Sequence, residues 1–103
     1  MATKEIAGKT VNLSDDGYFT DPSEWNKEIG MELAKEANIE LTDKHWAVLE
    51  FLRQKQAAGE SLTIRKVGTS GIVDIKELYQ LFPGGPLKIS SRIAGIPKPM
   101  SCV

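Results

Sequence analysis

A chain of 103 residues with 41% hydrophobic and 26% charged residues has the size and composition of one compact domain with a real core. It contains one cysteine, Cys102, and one histidine, His45, which excludes an intramolecular disulfide and a His-rich metal cluster; no metal and no cofactor are predicted. No apolar run approaches the ~20 residues of a membrane helix and no signal segment opens the chain, so a soluble, cytoplasmic protein is expected.

The net charge of −1 hides an asymmetry between the two halves of the chain. Residues 1–51 carry five lysines against eleven acids, a net charge of −6, whereas residues 52–103 carry eight basic residues against three acids, a net charge of +5. The positive half either meets an anionic partner or folds back on the acidic half, and a solvated dipolar surface is the third interpretation.

The first twenty residues predict a short β-meander. Val11 and Leu13 alternate with polar residues, and the Asp-Asp-Gly sequence at 15–17 is a turn signal before the aromatic pair at 18–19. Three short strands are therefore expected.

Two helices follow the meander. Asp21 is an N-cap signal with proline at the first helical position, and apolar residues at every fourth position predict a helix over 22–38. Thr42 opens a second helix over 43–58, which Gly59 ends.

The last part of the chain predicts shorter elements. Residues 61–67 are compatible with a helix, and Asp74 caps a short helix that runs to Phe82. Residues 87–103 contain two prolines and scattered apolar residues, which predicts a flexible C-terminal arm with one helical turn, outside the core. The fold class is thus α+β, with a compact domain over 1–86.

A helix-turn-helix module is one candidate function for the helices between residues 43 and 82. In that interpretation Arg65 and Lys66 contact phosphates or base edges. The sequence pI of 5.8 and the acidic first half would repel a phosphate backbone, so direct nucleic-acid binding is the weaker interpretation.

Cys102 is the second candidate. A penultimate cysteine is ordinarily an incidental thiol, but the Ile-Pro-Lys-Pro sequence at 96–99 stiffens the chain before it, and the roughly 19 residues after Pro83 would span about 60 Å when extended. Lys98 and Arg92 favour the thiolate while the terminal carboxylate opposes it, so activation is expected from a partner's pocket.

The end of the chain, residues 93–103, resembles the C-terminal arm of the DsrC/TusE family, whose members end in a Gly-Leu-Pro-Lys-Pro segment followed by a penultimate cysteine. The resemblance implies a small β-meander packed on an orthogonal array of four to five helices, with a mobile C-terminal arm. Further matches extend through most of the chain: Gly17-Tyr18-Phe19, Trp25, residues 41–46, Phe51-Leu52-Arg53, Arg65, residues 78–83 and Gly85-Pro86.

The same resemblance implies a function in sulfur transfer. Family members that act with dissimilatory sulfite reductase carry a second cysteine eleven positions before the penultimate one, where this chain has Ser91. What remains is the single-cysteine, TusE-like mode: Cys102 accepts sulfane sulfur as a persulfide and passes it on, as a sulfurtransferase-type carrier rather than an autonomous catalyst. The implied partners are sulfur-donor relay proteins and an acceptor, either a thiouridylase that modifies tRNA or sulfite reductase; a DsrC-like partner subunit of that reductase is the alternative function.

The candidate site residues fall into two groups beside Cys102. Docking residues of the arm are Ser91, Arg92, Gly95, Pro97, Lys98 and Pro99. Candidates for stabilising an anionic thiolate or persulfide are Arg65, Lys66 and Lys88. Core positions are predicted for Trp25, Trp46, Tyr79 and Phe82, and a capping or packing role for His45.

Overall fold

A computed structural model of the chain describes residues 2–60 and 62–98. Over these ranges the fold is α+β, as predicted, with a two-stranded antiparallel sheet followed by a 3₁₀ turn and five α-helices. None of the helices described is long and apolar enough to cross a membrane. The elements are β1 (Ala2–Ile6), β2 (Lys9–Leu13), the 3₁₀ turn (Pro22–Glu24), α1 (Lys27–Glu36), α2 (Asp43–Ala57), α3 (Ile64–Gly68), α4 (Ile75–Leu81) and α5 (Pro86–Ile93).

The N-terminal hairpin has a two-residue turn, in which Ala7 and Gly8 both have positive φ. The expected third strand is reduced to one bridge between Leu13 and Phe19. The N-cap residue Asp21 follows two positions later, so the segment is too short to continue as a strand. The meander therefore consists of two strands and one bridge.

The helix predicted over 22–38 is interrupted, because Trp25 is extended and ends the 3₁₀ turn. A new N-cap, Asn26, then accepts a hydrogen bond from the Ile29 backbone N–H at 2.9 Å and starts α1. The other predictions for the helices are closer. α2 agrees with the prediction for 43–58, α4 is capped by Asp74 as expected, and α3 begins only after its N-cap, Thr63.

The prediction that the residues from 87 onward lie outside the core is wrong for residues 87–96. Residues 86–93 form the two-turn helix α5, which packs against α1, α2 and α4. Leu87, Ile93 and Ile96 are at most 2% exposed and belong to the main core. Pro86 starts the helix because its fixed φ suits the first helical position. The side of α5 whose residues recur at helical spacing is then buried against the rest of the domain.

Two apolar clusters hold the fold together. The larger cluster contains residues of α2, α3, α4 and α5 and of the C-terminal end of α1. The smaller cluster joins the hairpin and Phe19 to α1. Phe82 is fully buried, as predicted, and Trp25 and Trp46 are partly buried against the clusters. The core prediction for Tyr79 is wrong, since its side chain is half exposed on α4.

Candidate functional site at the end of helix α5

The last turn of α5 is closed by a Schellman motif. Gly95 has a φ of +68°, its N–H donates to the Arg92 carbonyl at 3.2 Å, and the Ile96 N–H donates to the Ser91 carbonyl at 3.3 Å. The Ile96 side chain is fully buried. The backbone thus has a fixed direction where the helix ends and the segment 97–103 begins.

Trp25 supports this turn from the segment that precedes α1. Its indole Nε1 donates a 2.7 Å hydrogen bond to the carbonyl of Ile93. Its ring also fills the space beside Gly95, where an added Cβ would stand 2.2 Å from Trp25 Cδ1. Glycine is therefore required at position 95 by its backbone conformation and by this close approach together.

Arg53, on α2, supports the same turn from the other side. Its Nη1 donates to the Ala94 carbonyl at 2.8 Å and lies 3.4 Å from the carbonyl oxygen of Gly95, while Nη2 donates to the Pro22 carbonyl at 3.0 Å. The guanidinium lies over the Trp25 ring, 4.3 Å from its centre. Burial lowers the pKa of Arg53 below its ordinary value. We refer to Trp25 and Arg53 as the clamp.

Three of the predicted basic residues gather around Asp16 in the turn after β2. Lys98 Nζ donates to Asp16 Oδ2 at 3.0 Å, and the Arg92 guanidinium donates to the Asp16 backbone carbonyl and lies over the Tyr18 ring. The hydrogen bond and charge of Lys98, with the charges of Lys88 and Arg92, hold the pKa of Asp16 below its ordinary value of 3.8.

An ion pair at this part of the surface joins the two halves of the chain, between Lys98 and Asp16. Arg53 and Arg92 from the positive half also reach the acidic half, but they donate to the backbone carbonyls of Pro22 and Asp16. The Lys98–Asp16 pair supports the fold-back interpretation at this position.

The remaining predicted residues are dispersed. Ser91 is fully buried, and its Oγ has no hydrogen-bond partner among the described residues. Arg65 and Lys66 are exposed on α3 and do not belong to the group of basic residues around Asp16. Helix α3 packs against α4 and α2. Pro97 is half-buried; Pro99 and Cys102 lie outside the described residues, so their roles stay predictions.

His45 has the capping role that the sequence predicted. The Thr42 N–H donates to Nδ1 at 3.1 Å, so Nδ1 is the acceptor and the proton sits on Nε2, which donates to the Leu81 carbonyl at 2.9 Å. The ring meets Phe82 edge-on. His45 therefore joins the start of α2 to the end of α4.

The clamp was missed by reasoning from the sequence, which placed Trp25 in the core and used Arg53 only for the resemblance. One signal was available for Arg53. It follows His45 and Leu49 at a spacing of four, so it lies on the buried face of α2, where an arginine needs acceptors.

Comparison with known proteins agrees with this fold. The family model described as DsrC like protein matches residues 5–103, and the chain belongs to this family. The sulfurtransferase TusE of Pectobacterium atrosepticum is 35% identical, over 96% of this chain and 98% of the relative.

Solved structures give the same result. The NMR structure of Allochromatium vinosum DsrC superposes with a TM-score of 0.80 at 34% identity, covering 98% of this chain and 97% of that one. The oxidized gamma-subunit of dissimilatory sulfite reductase (DsrC) from Archaeoglobus fulgidus gives a TM-score of 0.78 at 35% identity, covering 99% and 100%. The family resemblance predicted from the sequence is confirmed.

Proposed function

We propose that this protein is a carrier in a sulfur relay, which accepts sulfane sulfur as a persulfide on Cys102 and passes it to a partner protein. The observation that carries the proposal is that the only cysteine of the chain stands four residues beyond Lys98, just after a turn held by the clamp and by Asp16. The match to a TusE sulfurtransferase over nearly the whole chain supports the same function.

The chemistry needs one thiolate. Cys102 Sγ attacks the terminal sulfur of a donor persulfide, R–S–S⁻; the new S–S bond forms as the donor's own S–S bond breaks, and the donor leaves as the thiolate R–S⁻. In the second step an acceptor thiolate attacks the terminal sulfur on Cys102 and releases the Cys102 thiolate. Each step exchanges one S–S bond for another, so no external oxidant or reductant is required.

Release depends on the partner because the chain has no second thiol. Ser91 stands where the family's second cysteine would be, and a hydroxyl cannot form a disulfide or trisulfide. Its Oγ is moreover fully buried in α5. The protein therefore holds sulfur until an external nucleophile removes it.

Helix α5 shortens the reach of the thiol. Because Ile96 is buried in the core, six residue steps along the chain lead from it to Cys102, and six fully extended residues would span about 20 Å. This replaces the 60 Å expected for a free arm from Pro83. A partner must therefore bring its active site close to the end of α5, near the Asp16 turn.

The partners implied by this function are proteins. The donor is a persulfide-bearing protein of the relay, and the acceptor is a thiouridylase that delivers sulfur toward tRNA 2-thiouridine. The basic residues Lys88, Arg92 and Lys98 beside the exit of the segment are suited to steering a partner whose persulfide is anionic.

Intact mass spectrometry after incubation with glutathione persulfide tests the first step. We expect the wild-type chain to gain the mass of one sulfur atom, removable by a thiol, and Cys102→Ala to gain none. Equal loading of the two proteins, or no loading of the wild type, would contradict the carrier function.

A docking subunit of dissimilatory sulfite reductase is the second candidate, favoured by the superposition on that enzyme's gamma-subunit from Archaeoglobus fulgidus. Co-purification with a sulfite reductase distinguishes the two functions. Binding that survives Cys102→Ala supports a docking subunit, whereas binding that requires the thiol supports the carrier.

A further inference from the structure

We propose that Trp25 and Arg53 are positioning residues: they fix the direction in which the backbone leaves helix α5 over residues 93–98, and this direction sets where the approach to Cys102 begins. This deepens the proposed carrier function and rests on it for its purpose. The geometry of the clamp is independent of that function.

The clamp binds three consecutive carbonyls at the end of α5. The Trp25 indole N–H donates to Ile93, and the Arg53 guanidinium donates to Ala94 and approaches Gly95. The last carbonyls of a helix have no partner within the helix and ordinarily bond to water. Here they are bound by side chains from two other parts of the chain, which orient the final turn relative to the whole domain.

The two side chains act as one unit. Arg53 lies over the Trp25 ring, and its second terminal nitrogen donates to the Pro22 carbonyl in the 3₁₀ turn that leads to Trp25. The planar guanidinium thus links the 3₁₀ turn, the indole and the end of α5. Its positive charge is also favourable at a helix C-terminus, where the carbonyl dipoles are negative. Lysine has one nitrogen and cannot make all of these contacts.

Contacts on both sides of Ile96 define the path of the backbone. The clamp holds residues 93–95, the Ile96 side chain is fully buried, and Lys98 pairs with Asp16. The Lys98–Asp16 pair is about half exposed on both partners and so holds the chain weakly. The clamp and Ile96 therefore carry most of the orientation.

Paramagnetic broadening from a nitroxide on Cys102 tests this proposal, because the unique thiol takes the label without other changes. In wild type we expect broadening of backbone amide signals to concentrate around the turn at 15–17 and the end of α5, and to spare α3. In Arg53→Gln and Trp25→Phe we expect at least twice as many amides to be broadened. Lys76→Gln, which removes an exposed lysine on α4, is the matched control and should leave the map unchanged.

Two further measurements separate a loss of positioning from a loss of structure: the map of the conservative Arg53→Lys variant, and the alkylation rate of Cys102. Arg53→Lys keeps the charge but has one donor nitrogen in place of the guanidinium fork, so its map should lie between those of wild type and Arg53→Gln. The rate of Cys102 alkylation by iodoacetamide should stay within about twofold of wild type in every variant, because the substitutions leave the residues next to Cys102 in the sequence unchanged.

The proposal is overturned if Arg53→Gln, measured below its thermal midpoint, gives the wild-type map, or if the wild-type map is already spread over the whole surface. Should Arg53→Gln fail to fold, Trp25→Phe decides by the same criterion, since it keeps an aromatic side chain at this position but removes the indole N–H donor and part of the ring that packs beside Gly95. Sulfur loading of wild type with a spread map would overturn this inference and leave the carrier function; a restricted map without loading would do the reverse.

Discussion

At the scale of single residues, Gly95 shows how closely the end of α5 is fitted to the domain. An alanine there would need a positive φ and would place its Cβ against the Trp25 ring. Gly59 is a matched control, because it also follows a helix with positive φ but has open space around it. We expect Gly59→Ala to cost about 1 kcal/mol and Gly95→Ala about 3 kcal/mol or more in urea unfolding. An equal loss of unfolding free energy in the two variants would show that the Trp25 ring does not restrict the side chain at position 95.

Ser91 offers a second comparison with its neighbour. Both Ser90 and Ser91 are buried, but Ser90 Oγ donates to the Leu87 carbonyl, whereas Ser91 Oγ has no partner among the described residues. We expect Ser91→Ala to be neutral or to stabilise by up to about 1 kcal/mol, and Ser90→Ala to destabilise by about 1 kcal/mol, both measured by urea unfolding. A Ser91→Ala variant less stable than Ser90→Ala would contradict the assignment of an unpaired hydroxyl.

The Asp16 carboxyl should titrate below its ordinary pKa of 3.8, chiefly because Lys98 donates to it. A carboxyl whose pKa is lowered by folding stabilises the folded state above its unfolded pKa, and this contribution is lost as the pH falls through the folded pKa. Lysine 98 is the main cause, so Lys98→Met should raise the pKa of Asp16 toward 3.8 in an NMR titration of the carboxyl carbon. An unchanged midpoint would show that the pair does not form in solution.

At the scale of elements, the His45 side chain joins two helices that are distant in sequence. Replacing it by alanine removes the cap on α2, the hydrogen bond to Leu81 and the edge contact with Phe82. We expect His45→Ala to cost about 2–4 kcal/mol in urea unfolding. Lys44→Ala, on the same turn and in an exposed pair with Glu77, should cost less than about 1 kcal/mol. Similar costs for the two variants would contradict the linking role.

The elements that the sequence predicted well are those with local signals. The capping residues Thr42 and Asp74 and the apolar stripes that follow them mark α2 and α4 within the local sequence. For helix α5 only one turn was predicted, because prolines and serines dominate its neighbourhood. The full helix depends on burial of its short apolar face against α1 and α2. The third strand was overpredicted because the next helical turn starts too soon after Phe19.

The candidate site divides in the same way. The basic residues Arg92 and Lys98 are recognisable from the sequence because they lie within ten residues of Cys102 along the chain. The clamp is not, because Trp25 lies 68 residues from Ile93 and Arg53 lies 41 residues from Ala94 along the chain. Only the folded topology brings those donors to the end of α5.

At the scale of the whole molecule, some of the opposite charges of the two halves of the chain contact each other within the folded domain. Lys98 and Arg92 join the positive end of the chain to the acidic turn at 15–17, close to where the segment 97–103 leaves the domain. Under the proposed carrier function, these contacts place the start of the C-terminal residues beside the Asp16 turn, and a partner would bind near that place.

Isotope tracing of the transferred sulfur tests the carrier function most directly. The chain would be loaded from a persulfide labelled with sulfur-34, purified, and mixed with an acceptor protein that has a reactive thiol, and both proteins would then be weighed by intact mass spectrometry. We predict that the labelled sulfur moves to the acceptor, that the chain returns to its unloaded mass, and that Cys102→Ala transfers none. Labelled sulfur that stays on the chain, or an acceptor that gains only unlabelled sulfur, would contradict the account.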